Sequence, residues 1–246
     1  MTKGVLTPPT LNNISIILID TRTPANIGAT ARCMMNMGMK RLVLVNPPQD
    51  KNNDATKLAA GADEILENVV VAASLADAVA NQHLIIGTSR HPGRLRKNIR
   101  TPHEAAEAIV PLLAKNNVSV VFGNEVNGLD MQDLSLCHEI IAIPSSPSFP
   151  SLNLSHAVMV VAYEFFCATA AGSRPSTVEL ASTEELEDFY RHLQETLLAI
   201  SFLEQDHPER IMLSLRQIFG RSRLEVRDVK ILRGILSSIR RMRSNC

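Results

Sequence analysis

Five polar side chains stand out by type and position: Asn26, Arg32, Glu125, Ser151 and Asn153. They offer two amides, a guanidinium, a carboxylate and a hydroxyl, groups that bind and orient a polar ligand. Each follows an apolar run that reads as a buried strand, and open α/β sheets gather ligands at the carboxyl ends of their strands. Each also has an ordinary use on its own: Asn26 as a helix cap, Arg32 as a surface charge, Glu125 as a turn carboxylate. Ser151 and Asn153 close the stretch Ser145-Ser-Pro-Ser-Phe-Pro-Ser-Leu-Asn-Leu-Ser155, at the entrance of an apolar helix. Its prolines fix φ and remove N–H donors, and a helix N-terminus favours polar or anionic partners.

Other chemistries find no support. Gly123-Asn-Glu-Val-Asn-Gly128 has the glycine spacing of a phosphate loop, but Leu129-Asp130 stands where Lys-Ser/Thr is required. No G-x-G-x-x-G follows the first strand and no G-x-S-x-G elbow exists. His156 lies in an apolar helix and reads as a packed histidine. The four cysteines, Cys33, Cys137, Cys167 and Cys246, are scattered, so neither a disulfide framework nor a metal site is expected.

The elements that must hold the five residues alternate along the chain. Apolar runs at Ile14–Ile19, Arg41–Val45, Val69–Val71, His83–Ile86, Val118–Phe122 and Ile140–Ile143 predict strands. Helices are predicted from about Ala25 to Met37, over Asp54–Ala60, Leu75–Ala80, Pro102–Ala114 and Asp130–Leu136, and from Leu154 to Ala170. Strands without polar alternation, separated by helices, predict an α/β fold with a parallel sheet covered on both faces. A polar, basic loop is expected from Arg90 to Arg100. After a Gly/Ser/Pro-rich linker, three apolar stripes at helical spacing predict a small helical extension. The expected domains are 1–171, a linker at 172–180, and 181–246.

Net charge is zero, but ten Lys/Arg and three Asp/Glu fall between His207 and Cys246. That basic end predicts a polyanionic partner. The N-terminal residues lack the apolar core of a signal peptide and no run is long enough to span a membrane, so a cytoplasmic protein is expected.

Asn26-Ile-Gly-Ala-Thr-Ala-Arg-Cys-Met-Met-Asn-Met-Gly38, Val121-Phe-Gly-Asn-Glu-Val-Asn-Gly-Leu129 and Ile143 to Ser155 resemble, in order and separation, the three motifs of SPOUT-class RNA 2′-O-ribose methyltransferases. His207 to Phe219 and Ile231 to Leu236 are similar to the helical extension of the bacterial tRNA (cytidine/uridine-2′-O-)-methyltransferases acting on anticodon-loop nucleotide 32. The resemblance covers nearly the whole chain from Asn12 onward. It implies an α/β domain whose C-terminal part is tucked through a trefoil knot, and a homodimer in which Arg32 of one subunit approaches the other's cofactor.

It also implies S-adenosyl-L-methionine bound mostly by the loops after Phe122, Ile143 and Ser151, with Thr88, Gly123, Gly128, Ile143, Ser151 and Leu152 as contacts. Arg32 and Asn26 are expected to orient the ribose and stabilise negative charge on its oxygen. Ser151 and Asn153 hold the loop, and Glu125 orients the arginine or a loop donor. Bound tRNA is expected along Arg90, Arg94, Arg96, Lys97 and Arg100 and along Arg216, Arg221 and Arg223 of the tail. The family commonly has Gly-Arg-Glu where this chain has Gly123-Asn124-Glu125, a change that removes a planar permanent cation. A ribosomal RNA methyltransferase and a non-catalytic RNA-binding member of the same class are the alternatives.

Overall fold

All six residues of β1 (Ile14–Ile19) are buried, as expected of a strand with helices on both sides. A computed structural model of the protein describes residues 9–49, 53–90, 98–172, 175–204 and 206–244. Around β1 assembles a seven-stranded sheet with β2 (Arg41–Val45), β3 (Val70–Ala72), β4 (Leu84–Thr88), β5 (Asn98–Arg100), β6 (Val118–Phe122) and β7 (Glu139–Ile141). The order is β3-β2-β1-β6-β4-β7-β5 and every pairing is parallel. The order reverses direction between β1 and β6, which pair in register from Ile14↔Val118 to Leu18↔Phe122. The loops leaving those two strands therefore emerge side by side at the carboxyl edge of the sheet, the usual side for ligands in such sheets.

One face of the sheet is covered by α1 (Pro24–Asn36), α2 (Asp54–Ala59), α3 (Asp63–Glu67), α5 (Pro102–Ile109) and α7 (Leu154–Ala170), sharing a core with Ile16, Leu18, Val120 and Phe122. The other carries α4 (Leu75–Val79) and α6 (Met131–Leu136), packed on Ile17, Val121 and Ile140. Pro24 occupies the first helical turn of α1, where its missing N–H costs nothing. A Cβ on Gly28 would lie 1.9 Å from the Ala55 carbonyl oxygen, so α1 and α2 approach too closely for any other residue.

Three expectations needed correction. The end of the expected basic loop is the edge strand β5, too short and too polar to show an apolar run. The helix expected over Pro102–Ala114 stops at Ile109 and continues as a 3-10 turn over Val110–Ala114, because Pro111 cannot donate and crowds the preceding turn. α3 was not foreseen; five residues give too little periodicity.

The extension consists of α8 (Thr183–Ala199), α9 (Glu209–Gly220) and α10 (Val226–Ser244) around Phe189, Tyr190, Leu193, Met212, Val229 and Leu236. Ser182 and Glu185 form a capping box at the start of α8. Residues 175–180 are docked, not slack. Ser176 N–H donates to Pro111 O at 2.8 Å, and buried Asn116 donates to Val178 O and accepts from Leu180 N–H, both at 2.9 Å. No helix among the described residues is long and apolar enough to cross a membrane.

Candidate active site

The loop after β6 folds back on itself between Gly123 and Gly128. A Cβ on Gly123 would lie 2.0 Å from the Gly128 carbonyl carbon, and Gly128 has φ +71°, so both positions require glycine. Asn124 Oδ1 accepts from the N–H groups of Val126 (3.0 Å) and Asn127 (2.8 Å), closing the turn from inside. An arginine side chain has no acceptor and cannot make these bonds. The departure at Asn124 thus gives the loop a built-in clasp.

The clasped loop aims Glu125 at the start of α1. Its Oε2 accepts from Arg22 N–H at 3.0 Å, and its Oε1 accepts from Thr23 N–H at 3.3 Å and from the Asn26 amide at 2.8 Å. Thr23, the N-cap residue of α1, makes no side-chain capping bond. The carboxylate supplies the missing acceptors from a distant loop and places negative charge where the helix dipole favours it. Burial pushes the Glu125 carboxyl up, but the Arg22, Asn26 and Thr23 donors outweigh it and hold the group below the usual range.

Asn26 Oδ1 in turn accepts from Asn153 Nδ2 at 3.1 Å. Asn153 caps α7, its Oδ1 accepting from Ser155 N–H at 2.9 Å and Ser155 Oγ at 2.8 Å. Three loops, after β1, β6 and β7, are thereby joined in one relay, Glu125–Asn26–Asn153–Ser155. Four of the five predicted site residues lie here: Asn26, Glu125 and Asn153 in the relay, and exposed Ser151 two residues before Asn153.

Beside the relay opens a cavity of about 320 Å³, whose lining includes all six expected cofactor residues, Thr88, Gly123, Gly128, Ile143, Ser151 and Leu152. This size lies within the range of small-ligand sites. Its walls are apolar at Ile141, Ile143, Leu152 and Leu154, while Ser151 and Glu125 stand at polar positions. Thr88 Oγ1 is spent on Val121 O at 3.0 Å and steadies the wall. Such a site fits a nucleoside-sized ligand.

Arg32 is elsewhere. Six helical residues place it about 120° around α1 from Asn26, and its side chain is exposed and has no hydrogen-bond or ion-pair partner among the described residues. His156, expected to be packed, is exposed instead; it lies on the first turn of α7, on the side away from the sheet. Among the described residues no cluster of His, Cys, Asp or Glu has the makings of a metal site.

The expected RNA-binding residues divide. Arg90 and Arg221 are exposed, while Arg94, Arg96 and Lys97 lie outside the described residues. Three others are committed to carboxylates. Arg100 Nε and Arg223 Nε bind Glu139 at 2.9 and 2.6 Å, and Arg216 grips Glu187 with both terminal nitrogens while lying 4.4 Å over the Tyr190 ring. Arg100, Arg216 and Arg223 thus each have a carboxylate partner within the chain. Charge count alone could not separate the two uses. Sequence reasoning also missed the backbone donors of Arg22 and Thr23 and the clasp of Asn124. Pro24, marking a helix start without a preceding acceptor side chain in use, was the available signal.

A parallel sheet with a glycine-bounded cavity at the carboxyl ends of its strands defines an α/β ligand-binding protein. The chain belongs to the SpoU rRNA Methylase family, whose profile matches residues 13–163, and the profile of the tRNA methyltransferase TrmJ C-terminal domain matches residues 184–245. It is 40% identical over 235 residues to the tRNA (cytidine/uridine-2′-O-)-methyltransferase TrmJ of Escherichia coli (strain K12), covering 93% of this chain and 96% of that protein. TrmJ from Z. mobilis ZM4 superimposes with a TM-score of 0.79 at 32% identity, covering 92% of this chain and 98% of that one. A probable methylase family protein from Haemophilus influenzae Rd KW20 gives 0.63 at 33% identity, covering 95% and 98%. AviRb from Streptomyces viridochromogenes, solved in complex with AdoMet, shares the fold at 18% identity and a TM-score of 0.52, covering 64% of this chain and 61% of that one.

Proposed function

We propose that this protein transfers a methyl group from S-adenosyl-L-methionine to the ribose 2′-hydroxyl of cytidine or uridine at nucleotide 32 of the tRNA anticodon loop. The observation that carries this reading is the Glu125–Asn26–Asn153 relay at the mouth of a cavity lined by every expected cofactor residue. Similarity to TrmJ along both the sheet domain and the extension supports the choice of tRNA.

When bound, S-adenosyl-L-methionine supplies an electrophilic methyl on a sulfonium. The protein must then bind the ribose in line and stabilise its oxygen as the proton leaves. Asn26 spends one amide hydrogen on Glu125 and one carbonyl lone pair on Asn153, keeping a second amide hydrogen for the substrate. Glu125 and Asn153 together fix which way that amide is turned. Ser151 and Asn153 hold the loop that forms the far wall. Arg32 acts across a homodimer, its guanidinium stabilising the ribose oxygen in the partner's site without itself losing a proton.

The reading extends to architecture. β7 is the last strand in sequence yet lies between β4 and β5, a strand order that supports a trefoil knot. We infer a knotted methyltransferase domain over 1–171, a connector at 172–180 and an extension over 181–246 that binds tRNA. The protein works in the cytoplasm, where its substrate is.

The test is incubation of the protein with S-adenosyl-L-methionine and an unmodified tRNA transcript, followed by mass mapping of nucleosides. Methylation of ribose 32 is expected. Methylation at another position, or of ribosomal RNA alone, overturns the reading.

A further inference from the structure

Among the described residues Glu139 is the one charged side chain that is buried, with 1% of its surface exposed. It lies on β7, flanked by β4 through Ile86↔Glu139 and by β5 through Asn98↔Glu139. A carboxylate at such a depth is tolerated only when paired and hydrogen-bonded. Its two partners come from different parts of the fold, the sheet and the extension. Arg100, the last residue of β5, donates from Nε to Oε2 at 2.9 Å, and Arg223, between α9 and α10, donates from Nε to Oε1 at 2.6 Å. Arg223 adopts φ +48°, a left-handed conformation that a non-glycine residue holds only when its surroundings fix it.

We propose that Glu139 is a positioning residue that locks two basic elements, β5 with its Arg100 and the helical extension, in register with the cofactor cavity. β7 runs from Glu139 to Ile141, a cavity wall, with Ile143 two residues further on. The strand that carries the double ion pair is thus the strand that enters the site. Losing the carboxylate leaves two guanidiniums facing each other with no anion between them, and both basic elements lose their common anchor. Cavity and relay contain no atom of Glu139, so cofactor binding and the chemical step are untouched. The proposal rests on the tRNA reading above.

Glu139→Gln and Arg223→Gln are compared with wild type, separately and combined. Binding of an unmodified tRNA transcript is followed by fluorescence anisotropy, methyl transfer by kinetics, and S-adenosyl-L-methionine by calorimetry. Expected for Glu139→Gln is a rise of about tenfold or more in tRNA Kd and KM, with kcat and cofactor affinity within roughly threefold of wild type. The double variant should bind tRNA no more weakly than the worse single variant, because both changes break one contact. Additive losses, or an unchanged Kd accompanied only by a lower Tm, overturn the proposal. If Glu139→Gln does not fold, Arg223→Gln alone decides, since Glu139 then keeps Arg100. Wild type that binds tRNA but transfers no methyl group defeats the functional reading and leaves the anisotropy test of Glu139 intact.

Discussion

Asn26 donates its side-chain amide to Glu125 at 2.8 Å across 99 residues of sequence. Neither residue touches the other's element through packing alone; the bond exists because β1 and β6 are adjacent and parallel, so their loops emerge together. Its consequences are open to direct measurement.

Asn26→Ala removes the amide, strips Glu125 of its side-chain donor and leaves Asn153 without its acceptor. A loss of about 10²–10³-fold in methyl transfer is expected, the scale of one lost oriented donor. Stability should fall by only about 1 kcal/mol, because the groups left behind are partly solvated. Single-turnover kinetics and thermal unfolding separate the two. Wild-type turnover in this variant would remove Asn26 from the mechanism.

Glu125 titrates below its ordinary value, so its contribution to stability is present above the unfolded pKa and fades as pH falls through the folded one. Wild type should lose stability on acidification below about pH 4.5 more steeply than Glu125→Gln. Urea unfolding at several pH values between neutrality and pH 3 reads the difference. Parallel curves would mean that the Arg22, Thr23 and Asn26 donors do not hold the carboxylate in solution.

For Arg32, geometry matters beyond charge. Arg32→Lys should lower kcat by about 10²-fold or more while cofactor affinity stays constant. Because Arg32 is proposed to serve the partner's site, mixing Arg32→Ala with Asn26→Ala subunits should regenerate one complete site in each mixed dimer. Random exchange would restore about a quarter of wild-type activity from two inactive proteins. No recovery would place Arg32 in its own subunit's chemistry or in none.

Tyr190, beneath Arg216, has its hydroxyl pushed up to about 12 by burial; Arg216 opposes that rise and Glu187 adds to it. A folded pKa above the ordinary value of 10 gives stability that is complete below pH 10 and lost as pH rises toward 12. That loss amounts to roughly 2–3 kcal/mol at about 1.4 kcal/mol per pH unit. Tyr190→Phe should flatten the alkaline limb of the stability curve, measured by urea unfolding followed by far-ultraviolet circular dichroism at several pH values. An unchanged limb would show the ring to be solvated.

Much of this was legible beforehand. Apolar runs located β1, β2, β4 and β6 within a residue or two, since buried parallel strands leave no room for polar alternation. Resemblance named residues far apart in sequence, and Thr88, Gly123, Gly128, Ile143, Ser151 and Leu152 line one cavity. What stayed hidden were pairings between side chains far apart in sequence. Arg100, Arg216 and Arg223 look the same in sequence as Arg221, and only their carboxylate partners tell them apart. β5 was invisible because three residues, one of them Asn98, carry no periodicity. The orientation of Glu125 toward backbone N–H groups instead of a guanidinium depended on where α1 begins in space.

The relay also sets a schedule. Asn26 and Asn153 are separated by 127 residues, so a growing chain exposes the first long before the second exists. At about 5–20 residues per second, the interval is roughly 6–25 s. During that time β1 and α1 can form and Glu125 is made, but Asn26 has no Asn153 to accept from, and no arrangement of the nascent protein holds the complete site. The same distance that makes the contact slow to form keeps every incomplete chain inert, so methyl-transfer capacity arrives only with the emergence of α7.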